Sequence, residues 1–344
     1  MNRRICPALL LAMCTWATLL PASAQVTRNV VPMNGQGPRL LLREVLRIGS
    51  ADGAHDSFGR VADVAFDRRG RVYVADDLNH RVAVFGPDGR FVATVGREGT
   101  GPGEFTNPWR VRVDASDSLF VWDMGAARVS VFGPDLRYRR SFGTPPSWIV
   151  NAMEFLPDGT LLVAAYGSGE ERPLQRLRRD GTRLGSLGPE LRPERLGGFE
   201  SSLLGGPAVL DGQTLVYSNK SPYQVDFYDP AGRLKTRCVG RPEWTTPPAS
   251  VVSERGLERR LEWGRFVHAA SVLAVGRGLY LNVIHDPRTK RETLDLLDTA
   301  CRLIRRTPLR EPVMVVSRSG NRIAAIRTLD YDEVVIYELS ISPR

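Results

Sequence analysis

Lysine is almost missing from this chain. Lys220, Lys235 and Lys290 are the only three in 344 residues, so a formal charge of +9 is carried almost entirely by arginine. The arginines are spread along the sequence rather than clustered, which argues against nucleic acid as a partner and for solvated faces and local ion pairs. Their planar fork suits bidentate contact with carboxylate or phosphate. Cysteine is scarce as well: of four, Cys6 and Cys14 lie in the first 24 residues, leaving Cys238 and Cys301. One pair excludes a disulfide-framed miniature fold, and the sequence leaves open whether the two are bridged, since sulfur geometry is demanding. No apolar run reaches the ~20 residues that a membrane-spanning helix requires. A Gly-x-Ser-x-Gly elbow, a Walker loop and a His-Glu-x-x-His pair are also absent, which removes the commonest hydrolase, nucleotide-binding and zinc-protease signatures.

What is present begins with a leader. In MNRRICPALLLAMCTWATLLPASAQ, Arg3 and Arg4 precede an apolar run from Ile5 to Leu20 and a small-residue Ala22-Ser23-Ala24 site. That order predicts a secretory signal peptide over 1–24 and hence export to the periplasm or medium. Losing Arg3 and Arg4 lowers the charge to +7.

Residues 73–89 read YVADDLNHRVAVFGPDG, and 47 positions later residues 120–136 read FVWDMGAARVSVFGPDL. Repetition at such a period signals a repeat architecture. Glycines closing apolar runs at Gly49, Gly96, Gly143, Gly188 and Gly240 mark intervals of 47, 47, 45 and 52 residues. Within the first unit four strands are predicted over 61–67, 71–75, 81–85 and 91–95. Asp-Gly turns recur at Asp88-Gly89, Asp158-Gly159, Asp180-Gly181 and Asp211-Gly212, where glycine supplies the positive φ that tight hairpins need. Weaker units follow, around 214–228, 279–297 and 322–339.

The two ends complete the count. The last unit stops after a third strand near Leu339, while 39–49 reads as a fourth strand with no first three before it. Pairing them predicts an all-β fold, a six-bladed β-propeller of four-stranded blades closed by the N-terminal strand, with no unfinished blade at either end. The chain then divides into a signal peptide (1–24), an N-terminal tail (25–38) and a single propeller domain (39–341) expected to be monomeric. Two connectors, 189–207 and 241–268, are longer than the scheme needs. A short helix is predicted in the second over 253–263, with Leu257 and Leu261 on one face.

The stretch from Val61 to Phe105, with its Ala75-Asp76 pair, its Asn79-His80-Arg81 group and its glycine-rich connector, resembles an NHL repeat of the bacterial exported type. That resemblance implies a propeller architecture and is nearly silent on function. It also implies that the connectors leading into first strands and the loops between second and third strands share one face, commonly the binding face. All four histidines, His55, His80, His268 and His285, fall on that face, a weak alternative set for a divalent metal; no cofactor is otherwise expected. Amidating lyases with such repeats use histidines from several blades, whereas the counterpart of His80 here is Ala127. Lactonase-like propellers bring a glutamate, asparagines and an aspartate to a cation, which Asp63, Asn151 and Glu154 imitate in part.

Asp76 and Arg81 recur as Asp123 and Arg128, and a copied pair reads as a structural clamp of the repeat rather than as chemistry. Residues on which the blades disagree are the better candidates. First strands line a propeller's channel, where Arg60, Asp63, Trp109, Arg110, Trp148, Asn151 and Glu154 fall, with His268 leading into blade five. Arginine and tryptophan at a channel mouth suit a protein partner, or a small anionic or carbohydrate-like ligand. The expectation is therefore a binding module rather than an enzyme, with a metal-assisted lyase or hydrolase on the same face as the alternative.

Overall fold

The structure, a computed structural model, describes residues 26–33, 37–166, 172–188, 204–210, 214–219, 223–229, 231–244, 250–252, 259–261, 268–276, 278–309, 311 and 313–342. The leader, most of the first long connector (189–203) and residues 253–258 of the second lie outside the described residues.

Blade one shows how the sequence makes a blade. Its strands are Val61–Phe66, Val72–Asp76, Arg81–Phe85 and Phe91–Val95, in antiparallel order. The inner three are buried almost throughout because a neighbouring blade presses on each face, so they read as continuous small and β-branched residues rather than as an alternating pattern. Only the outermost strand is largely exposed. The turn between third and fourth strands ends on Gly89 at φ +82°, where an added Cβ would lie 2.6 Å from the Leu46 Cδ1 of blade six. Glycine adopts this left-handed conformation without strain and leaves room for the Leu46 side chain. Blade two carries Leu136 at the same place, at φ +63°.

Six sheets of this kind close the ring, and six hydrophobic clusters lie one at each junction between neighbours. The closing junction packs Ile326, Val334 and Ile336 of blade six against Val64, Val74 and Phe85 of blade one. Blade six is completed by the N-terminal strand Arg39–Ile48, antiparallel to Asp332–Ser342, from Val334 opposite Ile48 to Ser342 opposite Arg39. Asp332 latches the same junction by accepting from the Val61 N–H at 2.7 Å.

The segment read from sequence as a tail is in part a strap. Val26–Asn29 adds in parallel to the outer strand of blade four, Leu234–Val239, and Val31–Pro32 adds in parallel to that of blade five, Arg302–Pro308. Val30, between them, is 5% exposed, and its N–H donates to Val239 O at 2.8 Å. Beneath this strap Cys238 and Cys301 form a disulfide joining blades four and five, both cysteines fully buried. Apolar residues at the two outer edges create the groove that Val30 fills, a feature of two distant strands that no local pattern announces.

The helix expected in the second long connector is corrected where the chain is described. Arg259–Leu261 is a strand, antiparallel to Ser250–Val252 with Val251 opposite Arg260. The i, i+4 spacing of two leucines is a weak helix signal, and the β-branched Val251-Val252 pair offers this segment a ladder partner.

Candidate functional site

Each first strand begins at the end of the ring where its second strand finishes: Val61 lies opposite Asp76, and Ile149 opposite Tyr166. This end, the upper face, holds the loops between second and third strands. Residues at the left-handed corner of these loops are His80 (φ 53°), Ala127 (φ 47°) and Lys290 (φ 52°) in blades one, two and five. His80 therefore occupies a turn position that Ala and Lys also fill, and its Nδ1 lies 2.8 Å from Thr106 O.

The repeated carboxylates bind backbone. Asp76 accepts from the Gly59 and Arg60 N–H groups and from Arg81 Nε at 2.9 Å, while Arg81 donates to Ser57 O. Asp123 accepts from the Thr106 and Asn107 N–H groups, and Arg128 donates to Thr100 O and Glu104 O. Both pairs tie the connector ahead of their blade to the end of its second strand.

At the channel mouth the guanidiniums of Arg60 and Arg110 each lie 5.4 Å from the Trp109 ring centroid. Arg60 also ion-pairs with the buried Asp77, which accepts from Arg60 Nε at 2.9 Å. Arg110 Nε donates to Asn151 O at 2.7 Å, joining blades two and three across the mouth. The remaining candidates separate from this group. Trp148 is 4% exposed and belongs to the core between blades two and three with Trp122 and Met153, not to the mouth. Asp63 and Glu154 sit deeper, on either side of Arg112: Arg112 donates to Asp63 Oδ2 at 2.8 Å and to Glu154 Oε1 at 3.0 Å. The two carboxylates hold the Arg112 guanidinium charged, while burial raises the Glu154 carboxyl above its ordinary range against the pull of Arg112. This triad divides the channel into an upper cleft of about 100 Å³ and a lower one of about 220 Å³.

His55 stacks on Phe91 at 3.8 Å, while His268 opens the first strand of blade five with its backbone opposite His285. Among the described residues no group of three or more His, Cys, Asp or Glu side chains is arranged to hold a metal ion. His285 lies opposite Glu292 in the next strand, its Nδ1 3.8 Å from Glu292 Oε1. Glu292 fastens blade five to blade six by accepting from the Val315 N–H at 2.8 Å, while Oε1 is buried without a hydrogen-bond partner. Burial drives the Glu292 carboxyl well above the usual carboxylate range. The native state thus keeps a proton that the unfolded chain releases, and stability falls as pH rises above the ordinary carboxylate range. Glu292→Gln, which retains an acceptor for Val315, is expected to stabilise the protein at pH 7 and to have little effect at pH 4, read from urea unfolding at the two pH values.

Sequence reasoning missed the apolar rim. Of twelve large apolar side chains exposed among the described residues, Leu78, Met124, Ile149, Met314, Leu329 and Tyr331 all lie at the upper end. Leu78, Met124, Leu329 and Tyr331 occupy the corresponding loops of blades one, two and six. Comparing loop residues at matched repeat positions would have found most of them.

A family model described as a 6-bladed beta-propeller matches residues 56–141. No curated protein matches this sequence. Among solved structures the chain is similar to a Bacteroides fragilis protein designated as exported (TM-score 0.61, 12% identity, 92% of this chain and 99% of that one). It is similar also to virginiamycin B lyase from Staphylococcus aureus (TM-score 0.53, 10% identity, 88% and 100%). A third is the PQQ-bound aldose sugar dehydrogenase from Streptomyces coelicolor (TM-score 0.53, 13% identity, 88% and 99%). At these identities the likeness is one of fold. No helix among the described residues is long and apolar enough to cross a membrane.

Proposed function

We propose that this chain is an exported, NHL-like propeller that acts as a binding module, taking a protein partner on its upper face. The observation that carries this reading is the apolar rim. Six exposed large side chains on blades six, one, two and three border a mouth that presents Arg60, Trp109 and Arg110, and methionine, tyrosine, tryptophan and arginine are the residues enriched at protein interfaces. An upper cleft of about 100 Å³ is small beside the ~300–1,000 Å³ of sites that enclose small ligands. A surface spread over blades six, one, two and three suits a partner that lies across the mouth with side chains dipping toward Trp109, and an acidic partner would meet the two arginines.

The test begins with a partner captured from an extract of exported proteins, then purified and titrated. Leu78→Asp/Met124→Asp/Leu329→Asp is expected to weaken its binding at least about tenfold, as loss of central contacts does. Phe91→Asp/Val92→Asp, on an outer strand, should leave it unchanged. Equal affinity for wild type and the upper-face variant sinks the reading.

A further inference from the structure

The opposite face carries a second concavity that the upper-face reading does not use. Between blades five and six, where first strands turn into second strands, an open pocket of about 550 Å³ is walled by Pro38, Val275, Leu279, Leu339 and Ile341. Its size falls within the ~300–1,000 Å³ of ligand sites, and its walls are predominantly apolar. At its inner end stands Arg318, near the end of the first strand of blade six, which also borders the lower channel cleft.

Arg318 is unlike the other inward arginines. Arg112 has two carboxylates and Arg60 has Asp77, whereas no carboxylate among the described residues pairs with Arg318. Its guanidinium donates to Ala274 O, and its Nε is buried without a partner. Burial with no acid beside it lowers its affinity for a proton, the direction expected of an uncompensated cation. A half-buried guanidinium lacking an anion is costly unless something supplies one. Asn321, the other polar group at the rim, is engaged, donating from Nδ2 to Glu338 Oε1 at 2.8 Å.

A cation at the inner end of an apolar pocket is complementary to one kind of molecule, an anion with an apolar body. We propose that the pocket between blades five and six binds an amphiphilic monocarboxylate, its chain along Leu279, Leu339 and Ile341 and its carboxylate on the Arg318 guanidinium. The head group pairs with the guanidinium in a charge-assisted hydrogen bond, and the chain covers apolar wall otherwise left to water.

Calorimetric titration of the mature protein with decanoate tests this, with acetate and decanol as probes of head and chain alone. Saturable one-to-one binding of decanoate, with acetate far weaker, is the expected result. Arg318→Gln is expected to weaken decanoate about tenfold or more, in line with the worth of a charged hydrogen bond, and to leave decanol unchanged. Ile341→Asp keeps the arginine and sets an acid in the wall, and should abolish decanoate binding while circular dichroism stays native. No saturable decanoate binding to wild type, or equal affinity in Arg318→Gln, overturns the proposal. Neither result bears on the upper face, whose variants are distinct.

Discussion

Replacing Cys238 and Cys301 together with alanine is expected to lower unfolding stability by about 4 kcal/mol, the entropy of closing a loop of this length in the unfolded chain. The bridge spans 63 positions and joins the outer edges of two neighbouring blades. It also sits under Val30, so both the N-terminal strap and the junction of blades four and five lose an anchor. Native-state hydrogen exchange should show the amides of Val30, Val31 and Met33, which donate to Val239, Cys301 and Leu303, losing protection before those of blades one and two. Unfolding by urea with and without a reductant provides the independent measurement. Identical midpoints would mean that the bridge contributes nothing.

Arg112→Met is the second change with a large expected effect. The guanidinium stands between Asp63 and Glu154 in the channel and pairs with both, with exposures of 13% for Arg112 and 5% for Asp63 at the side chain. Removing it leaves an uncompensated buried carboxylate beside a second one, a loss of about 3 kcal/mol at pH 7. The sign of the pH dependence follows. Without the guanidinium the Glu154 carboxyl, which burial already raises, takes up a proton more readily in the folded state, so the penalty shrinks as pH falls into the carboxylate range. Unfolding curves at pH 7 and pH 4 should therefore converge for variant and wild type. A penalty independent of pH would assign Arg112 a packing role alone. Asp63→Asn/Arg112→Met/Glu154→Gln, which removes all three charges, is expected to recover most of the loss.

The repeat was legible because its causes are local. A β-run bounded by Asp-Gly, a carboxylate five residues before an arginine and a glycine at each blade's end are read along the chain, and strands expected over 61–67, 81–85 and 91–95 are found as Val61–Phe66, Arg81–Phe85 and Phe91–Val95. The candidate site was legible only in part. Trp109 and Arg110 stand at the mouth, but Trp148, one blade on, turns into the core, because side chains at the start of a blade's first strand divide between the channel and the junction with the neighbouring blade. Arg110 and Arg112 differ in the same way: one reaches a backbone carbonyl of the next blade and the other a pair of carboxylates, and only the ring brings those partners within reach.

By itself, the sequence determined the all-β class, the number of blades and the pairing of the chain's two ends, since each follows from periodicity and from turn residues whose allowed dihedral angles are intrinsic. Tertiary structure alone decided that Cys238 meets Cys301, that residues 26–33 strap two blades, that Asp63 and Glu154 share Arg112, and that Arg318 has no acid beside it among the described residues. Those features join positions far apart in sequence, and closing the ring is what sets their distances and removes the water that would otherwise separate them.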